Sequence, residues 1–182
     1  MKRLHFVIAF ITVCLMAAMT AHAEELTAAQ KTKVDAKIKM LSSWSTDKKI
    51  VDFVRNANAN PPAESKGMTQ EKWANLNMLS PEVKAFSKNE LAGYLRTIKD
   101  ASVSEIFVSC ADGAKAAFLS KTSSWSHKGK PKHDVPMSGK TWTGKPELDE
   151  STGVQQVQVG LPVLDNGKPI GSIVVGLNLS KL

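Results

Sequence analysis

Val157-Gln158-Val159-Gly160-Leu161-Pro162-Val163, the turn Asp165-Asn166-Gly167-Lys168-Pro169, and the return Ile170-Gly171-Ser172-Ile173-Val174-Val175-Gly176-Leu177-Asn178-Leu179 decide the fold. Val157, Val159, Leu161 and Val163 alternate with Gln156, Gln158, Gly160 and Pro162, the two-residue period of a strand with one buried face. Asn166-Gly167 marks a tight reversal, and Ile173, Val175, Leu177 and Leu179 form the answering face. Two long antiparallel strands are therefore expected at the end of the chain.

Upstream, Ile106, Val108 and Cys110 alternate with Phe107 and Ser109, the turn Ala111-Asp112-Gly113 follows, and Ala116-Ala117-Phe118-Leu119 completes a second hairpin. Residues 24–100 read differently. Thr27-Ala28-Ala29-Gln30 has capping-box spacing, and Val34, Ile38 and Leu41 share one helical face. A break falls at 42–46, and Ile50, Val51, Phe53, Val54 and Ala57 resume the pattern until Asn60-Pro61-Pro62 stops it. A short helix over 69–79, a restart at Ser80-Pro81, and a capping box Ser87-x-x-Glu90 opening a last helix complete the helical part. The fold class is α+β, with residues 24–100 helical and 101–182 sheet.

The 182 residues, 42% hydrophobic and 23% charged, have ordinary globular composition. Lys2-Arg3, the apolar run 4–18 and the exit Ala21-His22-Ala23 have the order of a bacterial secretory signal, so residues 1–23 are expected to be cleaved and 24–182 to form a single periplasmic domain. Cleavage removes two cations and no acid, and the net charge falls from +7 to +5. Cys110 is then the one remaining cysteine, which leaves no internal disulfide and no Cys-x-x-Cys redox motif. It is expected to be a buried, reduced strand residue.

Between the hairpins, residues 122–153 are rich in Ser, Gly, Lys and Pro, too long for an idle loop. Six lysines lie between Lys121 and Lys145 against one acid, Asp134, together with Trp125, Trp142 and both mature histidines, His127 and His133. Lysines and imidazoles beside aromatic walls suit an anionic ligand, and Trp125 and Trp142 are expected to wall a pocket or pack a lid on the sheet. Solvated lysines that only maintain solubility are the simpler alternative. The spacing of His127, His133 and Asp134 matches no metal signature, and hydrogen bonding is the expected role of both rings. Asp149 either receives an ammonium group or caps a turn. No nucleophile elbow, zinc-protease motif or phosphate loop occurs, because Gly139-Lys140-Thr141 lacks the upstream glycine, Asp134 standing in its place.

Residues 147–179, from Glu147-Leu148-Asp149-Glu150-Ser151-Thr152-Gly153 through Leu161-Pro162-Val163 to Pro169-Ile170-Gly171, resemble the extracytoplasmic Cache domains of bacterial receptors. The resemblance implies a PAS-like five-stranded antiparallel sheet behind a long N-terminal helix. It also implies a pocket between the sheet and the long loop, and ligands such as amino acids or carboxylates. Family members report through a following membrane helix, whereas this chain stops at Leu182, so a stand-alone module is expected. The expected ligand residues are Trp125, His127, Lys130, His133, Asp134, Trp142, Asp149 and Ser151, with no catalysis, cofactor or metal. Expected partners are the small molecule, a membrane receptor that reads it, and a second copy paired through the N-terminal helix; export argues against nucleic acid. The competing function is an adaptor docking its basic loop on an acidic partner or lipid surface.

Overall fold

The computed structural model describes residues 25–149 and 153–182. The expected signal at 1–23, Glu150 and Ser151 lie outside them. Helix α1 (Ala28–Leu41) opens with a complete capping box: the Gln30 amide donates to Thr27 Oγ1 (3.2 Å) and the Thr27 amide to Gln30 Oε1 (2.9 Å). The break is a 3-10 turn, Ser42–Thr46. Asp47 then caps α2 (Lys48–Ala59), accepting from the amides of Lys49 and Ile50.

Helix α3 (Gln70–Asn75) is shorter than its pattern. Beyond it, Asn77 Oδ1 accepts from the Leu79 amide and Ser80 Oγ from the Asn77 amide, local bonds that replace helical ones. Helix α4 (Pro81–Ser87) does begin with Pro81. The capping box expected at Ser87 is absent. Ser87 instead ends α4, and Asn89 caps α5 (Glu90–Ile98) by accepting from the Ala92 amide while its amide group donates to the Ala116 carbonyl. A side chain that tied the helix to a neighbouring strand took the capping position.

Strands β1 (Val103–Cys110), β2 (Lys115–Phe118), β3 (Trp142–Asp149), β4 (Val154–Asp165) and β5 (Lys168–Asn178) form one antiparallel sheet in the order β2-β1-β5-β4-β3. With its long N-terminal helix, this is the PAS-like architecture implied by the sequence. Asn166 (φ 49°) and Gly167 (φ 80°) take the left-handed conformations that a two-residue hairpin requires.

Residues 122–153 are not one loop. They contain α6 (Pro131–Met137) and β3. Pro131 starts the helix where its missing N–H costs nothing, and Pro136 within the last turn concealed the helical pattern. As an edge strand β3 is paired on one side only, and its Lys145 and Pro146 are residues that sheet edges tolerate.

The two faces of the sheet differ in chemistry. Toward α1, α2 and α5 it presents Ile106, Val108, Val157, Val159, Leu161, Ile173, Val175 and Leu177, all buried. The other face, called distal below, carries Glu105, Phe107, Ser109, Lys115, Gln156, Gln158, Ser172 and Val174 by strand parity and register. An aromatic cluster of Trp73, Phe86, Phe107, Phe118 and Trp125 covers its β2 edge, and α6 covers the middle. At Gly160, an added Cβ would stand 2.7 Å from the Lys132 carbonyl and 3.1 Å from Pro136 Cγ, so β4 has no side chain where α6 lies against it.

Candidate ligand-binding site

Adjacent strands place Lys115, Ser109 and Ser172 in one row of the distal face, with Phe107 and Val174 in the next and Glu105 beyond. The turn at Gly113, whose φ of 82° suits glycine, lets the Gly113 carbonyl accept from the His127 amide at 2.9 Å. This bond pins the segment after β2 against the sheet. His127 stacks on Phe107 with ring centroids 4.6 Å apart and 19° between planes, and its Nδ1 is hydrogen-bonded to Lys115 Nζ. Lys115 is 2% exposed, and its Nζ lies 4.3 Å from the Phe107 ring centre.

None of the ion pairs among the described residues involves Lys115. The nearby carboxyl of Glu105 accepts instead from Gln158 Nε2 at 2.8 Å, and the carbonyl of Gln158 receives Lys132 Nζ. An amide therefore stands between lysine and carboxylate. His133, 1% exposed, is hydrogen-bonded through Nδ1 to Ser172 Oγ at 2.7 Å. Ser109 Oγ, fully buried beside these groups, has no hydrogen-bond partner among the described residues.

Burial without a counter-charge dominates the electrostatics. It holds the Lys115 amine well below the ordinary lysine range and, aided by Lys115, Lys132 and Lys130, lowers His127 to about 2. Desolvation likewise lowers Lys132 and His133 and raises Glu105. A cleft of about 600 Å³ adjoins this cluster, with Glu105, Lys121, Lys132, Glu147, Asp149 and Gln158 among its walls. Glu105 and Lys132 belong to both. An anion reaching the cluster would meet two basic nitrogens and an unused hydroxyl, all already desolvated.

The structure brings together His127 and His133, while Lys130, its Nζ donating to Ser124 Oγ at 2.6 Å, stands at the start of α6. Asp149 lies in the wall of the cleft. Asp134 is exposed and accepts from the Gly129 amide, a local brace away from the buried cluster. The two tryptophans do not share a wall. Trp125 packs on Trp73 and Phe86 at the β2 edge, and Trp142 lies half-buried on β3, the opposite edge. The cause is β3 itself, which draws Trp142 into register with Gly160. No group of three or more His, Cys, Asp or Glu side chains able to hold a metal occurs among the described residues.

Sequence reasoning missed Glu105, Ser109, Lys115 and Ser172, and counted Lys132 only as one of six lysines in the long loop. The signal was present in the strand alternation: Glu105, Ser109, Gln156, Gln158 and Ser172 are the polar partners of the apolar face. That pattern suits a solvated surface equally well until α6 is laid over it.

No family model matches the chain, and no curated protein matches it. Among solved structures, the sensor domain of the V. cholerae histidine kinase DctB aligns over 84% of this chain and 53% of its own, at 15% identity and a TM-score of 0.48. The ligand-binding domain of Mlp24 with asparagine aligns over 84% and 54%, at 12% identity and 0.39. The sensory domain of the Campylobacter jejuni chemoreceptor Tlp3 with isoleucine bound aligns over 82% and 62%, at 13% identity and 0.39. At 12–15% identity, the chain is similar to these three domains in fold alone. It spans about half the length of the first two of these structures. No helix among the described residues is long and apolar enough to cross a membrane.

Proposed function

We propose that this Cache-like chain is a periplasmic ligand-binding sensor module whose ligand is a small anionic metabolite, a carboxylate or an amino acid, bound without chemical conversion. The ligand would lie between the distal face of the sheet and the segment from Thr122 to Asp149. The observation that carries this reading is Lys115, a 2%-exposed lysine hydrogen-bonded to another base, with the unpartnered Ser109 hydroxyl in the same row. A buried amine can carry its charge only against a counter-charge, and a bound anion supplies one. Read-out by a membrane receptor, and pairing of two copies through α1, on which Met40 is 67% exposed, belong to the same reading.

A thermal-shift titration of the secreted protein with acetate, lactate, succinate and neutral amino acids tests it. A ligand at 100 times its dissociation constant should stabilise by about 2.7 kcal/mol. The stabilisation should saturate, survive high salt and disappear in Lys115→Met. Stabilisation that high salt abolishes, and that Lys115→Met retains, would point to the exposed basic surface and the adaptor function.

A further inference from the structure

We propose that the anion enters this site together with a proton, which is taken from solvent onto the Lys115–His127 pair. The inference rests on the anion-binding function above and adds a second input to it, acidity. The geometry is that of two basic nitrogens, Lys115 Nζ and His127 Nδ1, sharing one hydrogen bond in a buried layer, with the Phe107 ring against both side chains.

Such a hydrogen bond is complete with both groups neutral: the amine donates to Nδ1, and one lone pair on Nζ is left over. A proton added to that lone pair makes the pair cationic. In the empty site the groups facing the pair oppose this. Lys130 and Lys132 approach from the start of α6, and His133 from α6 itself. Glu105 on β1 favours protonation, but its carboxyl is engaged by Gln158. Asp112 and Asp134 act on His133, and Glu147 on Lys132, each one residue removed from the pair. An anion against Nζ reverses the balance, since it supplies both a counter-charge and a charge-assisted hydrogen bond, about twice as strong as a neutral one. For a monoanion the step balances as empty protein plus anion plus one proton giving a complex with no change in net charge; a dianion such as succinate with one proton lowers it by one.

The test is calorimetric titration of the secreted protein with sodium acetate, sodium lactate and sodium succinate, near pH 7 and near pH 8, each in two buffers of different ionisation enthalpy. All three probes are ionised under these conditions, so a proton taken up goes to the protein. The expected result is a buffer-dependent heat equivalent to about one proton per bound anion, and an affinity that falls up to about tenfold per pH unit. Lys115→Gln should bind more weakly, with no buffer-dependent heat, while the parent protein alone suffices for the decision should that variant fail to fold. Binding with a buffer-independent heat and one affinity at both pH values overturns proton coupling and leaves anion binding standing. Absence of binding by all three probes at millimolar concentration overturns both.

Discussion

Two serines in one row of the distal face should answer differently to removal of their hydroxyls. Ser172 Oγ is bonded to His133 Nδ1, and Ser172→Ala would leave a buried ring nitrogen unpartnered, at a cost of about 1–3 kcal/mol. Ser109→Ala removes a hydroxyl that bonds to nothing and should be neutral or slightly stabilising in urea unfolding, while weakening anion binding. The buried imidazoles add a pH dependence. With its pKa lowered to about 2 from the ordinary 6.5, His127 stays neutral in the folded protein, whereas the unfolded chain takes up a proton below 6.5. The unfolded state then binds more protons, so the His127 contribution to stability is full above pH 6.5 and is lost on acidification, by about 1.4 kcal/mol per pH unit for one such ring. Glu105, raised above the ordinary 4.5 by burial, acts in the opposite direction, so the His127 contribution is read between pH 6.5 and 5 as the difference between the parent and His127→Gln. Urea midpoints across that window should fall in the parent and fall less steeply in His127→Gln.

Among the elements, α6 and β4 meet where Gly160 has no side chain. Gly160→Ala would put a methyl 2.7 Å from a backbone carbonyl, which cannot swing aside, so α6 must lift or β4 must bend. Overpacking of this kind costs about 1–3 kcal/mol. The matching loss in urea midpoint should come with weakened anion binding, because lifting α6 carries Lys132 and His133 away from the sheet. The elements that sequence alone disclosed were those whose pattern repeats: the two hairpins, the helix break at 42–46 and the Thr27 cap. The strand β3 and the helix α6 were hidden by their chemistry, since an edge strand needs only one apolar row and a seven-residue helix with two prolines shows no period. The site was half-visible for the same reason. His127 and His133 stood out as rare residues, but Lys115 gained its meaning from burial, which comes from an element that the pattern did not disclose.

At the scale of the molecule, the sheet separates a face packed on α1, α2 and α5 from a distal face whose β2 edge lies under an aromatic cluster and whose middle holds the buried bases. Cooperative packing is concentrated on the helical side, where β1, β4 and β5 bury continuous rows. The segment over the distal face is secured by single bonds, a two-proline helix and a strand with one neighbour. Native-state hydrogen exchange should therefore find the amides of α6 and β3 opening at lower free energy than those of β1 and β5, with a bound anion slowing the first set most. Uniform protection across both sets would contradict that division. The Trp73–Trp125 contact, 5.2 Å between centroids at 47°, has an optical consequence. Two indoles so close act as one coupled chromophore, and their transitions split into a pair of circular-dichroism bands of opposite sign. Trp73→Phe or Trp125→Phe should each abolish the whole couplet, which a sum of independent tryptophans would not do. The protein thus carries a built-in reporter at the edge of the very layer where its ligand is expected.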